Sequence, residues 1–171
     1  MIYPIVAYGN PILKKEAEDL PEGSDLTQLI QDMYATMNHA HGVGLAAPQI
    51  NQGVRLFVID SSLMLDEDEE EKGIRRVFIN PILLDEYGDN FGFEEGCLSI
   101  PGLYGDVKRY DYIEVEAMDR RGRELVFELE GMPARVAQHE IDHLDGVLFT
   151  DKVDPATLHW EDPELHQRDE D

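Results

Sequence analysis

The chain has 171 residues, 42% of them apolar, which suits one soluble globular domain with a single hydrophobic core and excludes wholesale disorder. Its 37 Asp and Glu outweigh 14 Lys and Arg, a formal net charge of −23. That balance excludes direct binding to nucleic acid or to an anionic membrane, because every phosphate approached would be repelled. No stretch approaches the ~20 apolar residues that span a bilayer. The segment MIYPIVAYGNPILKK lacks the charged and small-residue marks of a secretory signal. The single cysteine, Cys97, cannot close an internal disulfide, which fits a reducing cytoplasm.

In chain order, Asn10-Pro11 reads as a helix cap followed by proline at the first helical position, opening a short helix through Glu18. Ser24-Asp25 opens a longer helix, in which Leu26, Leu29, Ile30, Met33 and Met37 recur at helical spacing up to Gly42. Strands are expected at 55–60, 76–82, 91–100, 112–119 and 124–130. In the fourth, Ile113, Val115 and Ala117 alternate with Glu114, Glu116 and Met118, so one face is mostly wet. Arg120-Arg121-Gly122 reads as a hairpin turn. The acidic run DEDEEE, Asp66 to Glu71, reads as a solvated loop. Met132 to Leu144 forms a last helix, stopped by Gly146. Beyond Val153 the chain turns polar and acidic, giving a domain at 1–153 and a loose acidic tail at 154–171. Strands in the middle with helices towards both ends point to an α+β fold built on antiparallel sheet.

The chemistry concentrates in QHEIDH, residues 138–143. His139 and His143 are four apart, so on a helix their imidazoles share one face and can hold one cation. Glu140 sits one position round, able to act on a water as general base. The plain alternative is a solvated helix that happens to carry two histidines. A catalytic site of this kind needs a third protein ligand. The pattern that continues with glycine and a third histidine fails, because Gly146 is in place but Phe149 stands where the histidine belongs. Glu164 lies at the distance used by another zinc-protease pattern, in a segment that does not read as a packed helix. Cys97 supplies a soft sulfur donor that completes a set with two imidazoles. An inert buried cysteine and a cysteine nucleophile are its other readings.

Three motifs in a fixed order, GVGLAAPQ at 42–49, EGCLS at 95–99 and QHEIDH at 138–143, closely resemble the signature of the peptide deformylases. With the strands between them, the resemblance covers about residues 1–153. It implies antiparallel sheets wrapped around a central C-terminal helix that carries H-E-x-x-H. It implies one divalent metal per chain, held by Cys97, His139 and His143, with Fe(II) as the working ion and Zn(II), Ni(II) or Co(II) able to occupy the site. Glu140 would be the acid/base, while the Gln49 amide and the Leu98 backbone N–H would bind the oxyanion. Gly44 would lie near the substrate backbone. The activity implied is removal of the N-terminal formyl group from formyl-methionyl nascent chains, releasing formate, in the cytoplasm.

The residue chemistry is consistent with that activity. Formyl amides are stable, so hydrolysis needs an activated water, a polarised carbonyl and a proton for the leaving amine. Glycines in GVGLAA let the backbone approach an extended peptide. Val43, Met132 and Val136 are candidates to line a slot for the methionine side chain; plain core packing of Met132 and Val136 is the equal alternative. Glu95 and Arg109 could pair behind the cysteine strand. One feature departs from the family: some bacterial members dock on the ribosome through a basic C-terminal helix, whereas residues 154–171 here hold seven acids and one arginine. Docking by that route is therefore not expected. The overall acidity reads either as a solvated surface or as adaptation to concentrated intracellular salt.

Overall fold

The computed structural model describes residues 1–61 and 74–161; the acidic run at 66–71 and residues 162–171 lie outside them. Two helices, α1 (Thr27–His39) and α2 (Met132–Leu144), pack on six strands. The strands are β1 (Gly44–Ala46), β2 (Leu56–Asp60), β3 (Arg75–Cys97), β4 (Ile100–Met118), β5 (Glu124–Glu130) and β6 (His159–Trp160). They pair in the order β1-β2-β3-β4-β5, with β6 on β4, and every pairing is antiparallel. None of the described helices is long and apolar enough to cross a membrane.

Strand β2 shows why the two helices take opposite sides. Its residues LFVI are all buried, as expected where both faces of a strand are covered. Phe57 and Ile59 point into a cluster with Ala134, Val136, Ala137 and Ile141 of α2. Leu56 and Val58 point the other way, into a cluster with Ile30, Met33 and Met37 of α1. A third cluster, around Leu13, Ile100, Val107 and Phe149, closes the end of the β3–β4 hairpin.

Several expectations from the sequence shift at their edges. The helix after Asn10 is only a turn of 3-10 helix, Pro11–Lys14, although the Asn10 side chain does accept from Ile12 N. It stops because the next backbone groups bond elsewhere: Ala17 N to Leu144 O, and Glu18 N to Gly53 O. Helix α1 starts at Thr27, where Asp25 accepts from the Thr27 N–H. The strands expected at 76–82 and 91–100 are parts of one long β3, and 112–119 is the end of an equally long β4. Turn-like residues such as Asn80 and Gly88 are absorbed as register shifts, not loops, with positive φ of 50° and 85°. The segment expected to be a loose tail from Asp154 begins with ordered residues. Asp154 caps a turn at Pro155–Thr157, and β6 then pairs with Leu103–Tyr104 of β4.

Helix α2 matches its expected span, Met132–Leu144. Its end is fixed by Gly146, with φ of 75°: Val147 N donates to Asp142 O at 2.8 Å and Gly146 N to His143 O at 3.2 Å. A Cβ at Gly146 would sit 2.6 Å from the Lys14 carbonyl oxygen. Gly146→Ala is therefore expected to lower unfolding stability by about 1–3 kcal/mol. A melting curve unchanged from the parent protein would show that this helix end is not held as described.

Candidate metal centre

Two periodicities meet at the site. Glu95 and Cys97 are two apart at the end of β3, so they share a face of the extended chain. His139 and His143 are four apart on α2 and share a face of the helix. Glu95 Oε1 lies 2.9 Å from His139 Nδ1, and Cys97 Sγ lies 3.4 Å from His143 Nε2. The intervening residue must face away, and there a Cβ on Gly96 would lie 2.5 Å from the Tyr104 ring. Glycine is what lets the ring lie there.

The three donors converge. His139 Nε2 and His143 Nε2 are 3.2 Å apart, and with Cys97 Sγ all lie within 4.8 Å of one another. One sulfur and two imidazole nitrogens aimed at a common point fit a divalent transition-metal ion with a fourth position left open. Behind them, Glu95 accepts from Arg109 Nε and from Arg109 Nη2 at 3.0 Å, and Arg109 Nη1 donates to Asp142 at 2.9 Å. Because Glu95 takes the Nδ1–H of His139, Nε2 is the free nitrogen turned to the donor group.

Burial sets the charges. It would push the Glu95 carboxyl up, yet hydrogen bonds from His139 and Arg109 outweigh it and hold Glu95 at about 2. Glu140 has no such donors, and burial pushes it up to about 7. Its Oε2 finds no hydrogen-bond partner among the described residues. Burial and then the neighbouring His139 push His143 well below the ordinary imidazole value.

All ten residues singled out in the sequence come together here. Gln49 is 1% exposed: its Oε1 accepts from Ala46 N at 3.0 Å, which turns its amide nitrogen towards Cys97 Sγ at 3.6 Å and Ser99 Oγ at 3.2 Å. Val43, Gly44, Leu98, Met132 and Val136 line one cleft of about 440 Å³ with Cys97, His139 and Glu140. Gly44 leaves room for the acid, since a Cβ there would lie 2.8 Å from Glu140 Oε1. Val136 both lines the cleft and belongs to the core, so the two sequence readings are not exclusive. Phe149, in the place of a third histidine, packs against the His139 ring. The expected Glu95–Arg109 pair is present. Ser99, Asp142 and Arg135 were missed. Arg135, 4% exposed, lies in the cleft wall and donates to Val107 O at 2.7 Å. Its spacing, four before His139, was the available signal.

An antiparallel α+β fold around a cleft that holds a buried acid beside a converging sulfur–nitrogen group has the equipment of a hydrolytic enzyme. Known proteins narrow that class. The polypeptide deformylase family model matches residues 2–159. A peptide deformylase of Cytophaga hutchinsonii is 52% identical over 154 residues, covering 90% of this chain and 83% of the relative. The crystal structure of the Thermotoga maritima peptide deformylase superposes with a TM-score of 0.80 at 38% identity, covering 91% of this chain and 99% of the other. A class I type b peptide deformylase of Acinetobacter baumannii, solved with Met-Ala-Ser bound, gives 0.78 at 32% identity over 89% and 99% of the chains. The chain belongs to the polypeptide deformylase family and is a deformylase enzyme.

Glu95 gives the site a pH signature. Its folded value of about 2 lies below the ordinary carboxylate value of ~4.3. Its contribution is therefore full above that ordinary value and is lost as pH falls through about 2. We expect Glu95→Gln to cost about 3 kcal/mol of unfolding stability near pH 6, with the gap to the parent closing between about pH 4.5 and pH 2. Denaturant titrations of both proteins across that range check it, and a gap independent of pH would contradict the assignment.

Proposed function

We propose that this chain hydrolyses the N-terminal formyl group of formyl-methionyl nascent polypeptides, releasing formate, with one divalent cation held by Cys97, His139 and His143. The observation that carries this reading is the convergence of those three donors beside a buried, partnerless carboxylate oxygen of Glu140. The relative solved with Met-Ala-Ser supports the substrate class, since that tripeptide is what remains when formyl-Met-Ala-Ser loses formate.

A cation in this donor set would polarise the scissile carbonyl and lower the pKa of a water towards ~7. Glu140, held at about 7, is suited to take a proton from the attacking water near neutral pH. The water oxygen adds to the formyl carbon, the carbon–nitrogen bond breaks, and Glu140 returns the proton to the leaving amine. Gln49 offers an amide N–H whose orientation is set by Ala46 N on the other side of the group. With the Leu98 backbone N–H it would steady the oxyanion, and losing one such donor typically costs ~10²–10³ in rate. Val43, Met132 and Val136 would receive the methionine side chain, with Gly44 beside the peptide backbone. We assign Fe(II) as the working ion, with Zn(II), Ni(II) or Co(II) as substitutes, and the cytoplasm as the compartment that supplies formylated chains. The acidity of residues 154–171 argues against ribosome docking through that segment.

Cys97→Ala is expected to lose bound metal and activity together, while Glu140→Ala keeps the metal and loses at least ~10² in rate. Metal content and formate release from formyl-Met-Ala-Ser, on protein purified anaerobically, check both. Loss of metal from Glu140→Ala with an active Cys97→Ala would reverse the roles. The reaction should also discriminate by acyl group. We infer that the Cys97 strand closes the pocket beside the donor group, so acetyl-methionyl peptides should react far more slowly and casein should remain uncut. Comparable turnover of casein would instead indicate an endopeptidase.

A further inference from the structure

The turn that joins β3 to β4 is only two residues, Leu98 and Ser99, between Cys97 and its pairing partner Ile100. Turns ordinarily lie at the surface. Ser99 is 1% exposed, so its hydroxyl needs a partner inside the protein. A serine hydroxyl in a turn commonly bonds to backbone close by. Ser99 does not: its described side-chain hydrogen bond comes from the Gln49 amide, fifty residues away in the chain, at 3.2 Å.

The groups around Gln49 leave one orientation for its amide. Ala46 N can only donate, so Gln49 Oε1 faces it at 3.0 Å. The nitrogen then lies on the other side of the group and carries two hydrogens. Ser99 Oγ takes one of them. The other is left for the side of Cys97, whose Sγ at 3.6 Å is a weak acceptor. Bonds at opposite ends of a planar group fix its plane, and with it the direction of the remaining N–H. The backbone is held as well. Val6 N donates to Gln49 O at 2.7 Å, and Tyr8 N donates to Ser99 O at 2.8 Å. One short segment therefore clips both members of the side-chain pair.

We propose that Ser99 is a positioning residue, whose hydroxyl holds the Gln49 amide so that its second N–H and the Leu98 N–H address one oxyanion. This rests on the deformylation reading, in which those two donors steady the oxyanion. Ser99 itself is not among the residues that line the cleft, and it acts through Gln49. Without the hydroxyl, the amide is anchored at Oε1 while its nitrogen keeps only the weak sulfur contact. The oxyanion exists only along the reaction, so the loss falls on kcat and leaves KM unchanged.

The first test needs no turnover. In isotopically labelled, zinc-loaded protein, the NMR signal of the Gln49 side-chain amide is identified by its absence from Gln49→Ala. In Ser99→Ala, which removes only the hydroxyl oxygen, that amide should shift and exchange with solvent at least ~10-fold faster. Parent shift and parent exchange in Ser99→Ala would overturn the proposal. The second test is kinetic, with formyl-Met-Ala-Ser as substrate. Ser99→Ala should keep its metal and the parent KM, with kcat down ~10-fold, less than the ~10²–10³ expected for losing a donor outright. In a Gln49→Ala background the same substitution should change kcat by less than ~2-fold, because the two residues act as one unit. An equal loss in both backgrounds would show a general structural role and overturn the proposal, as would a loss confined to KM. A parent protein that released no formate would count against deformylation alone, since the NMR comparison reads the Ser99–Gln49 bond without turnover.

Discussion

Glu95 has a side chain only 11% exposed and stands between Arg109 and His139, each of which gives it hydrogen bonds. A carboxylate in such a place is costly unless it is fully paired. Here the pairing also fixes geometry: it ties β3 to β4 through Arg109 and to α2 through His139. Arg109 continues to Asp142 on α2, and Asp142 to Lys152 beyond it. The strand that carries Cys97 is thereby pinned to the helix that carries the histidines. Remove that carboxylate and nothing else among the described contacts orients His139 from behind.

The same helix carries an acid in the opposite condition. Glu95 is supplied with donors and stays ionised, whereas Glu140 is buried without them and is raised to about 7. Two environments thus drive the titrations of these carboxyl groups apart, leaving one a permanent anion and the other poised near neutrality. The glycines complete the arrangement by omission. Gly44 leaves space for the Glu140 carboxylate, and Gly96 leaves space for the Tyr104 ring beside the cysteine strand.

Local signals made most of the site legible in the sequence. The spacing of His139 and His143 fixes a shared helix face, and a lone cysteine in an otherwise cysteine-free chain draws attention to Cys97. Gly146 marked the end of α2 correctly, because it acts through the backbone of a few residues. The alternation of Ile113, Val115 and Ala117 was reliable for the same reason, and all three are buried. What failed depends on distant partners. The first helix was overestimated because residues 17 and 18 bond to chain more than thirty residues away. β3 was divided because Asn80 and Gly88 look like loop residues, and only pairing with β4 shows them to be irregularities within a strand. Ser99 and Asp142 gave no pattern of their own; their roles come from Gln49 and Arg109, which the fold brings to them. Residues 155–160 read as tail because two residues of strand leave almost no periodicity to detect.

The central claim is that one sulfur and two imidazole nitrogens jointly hold a cation. Optical spectroscopy of protein loaded with Co(II) tests it most directly, because thiolate coordination adds a charge-transfer band and four-coordination intensifies the visible d–d bands. The account predicts both features in the parent protein, loss of the charge-transfer band in Cys97→Ser, and weak, six-coordinate visible bands in His143→Ala. A Co(II) spectrum that is the same in the parent and in Cys97→Ser would contradict it.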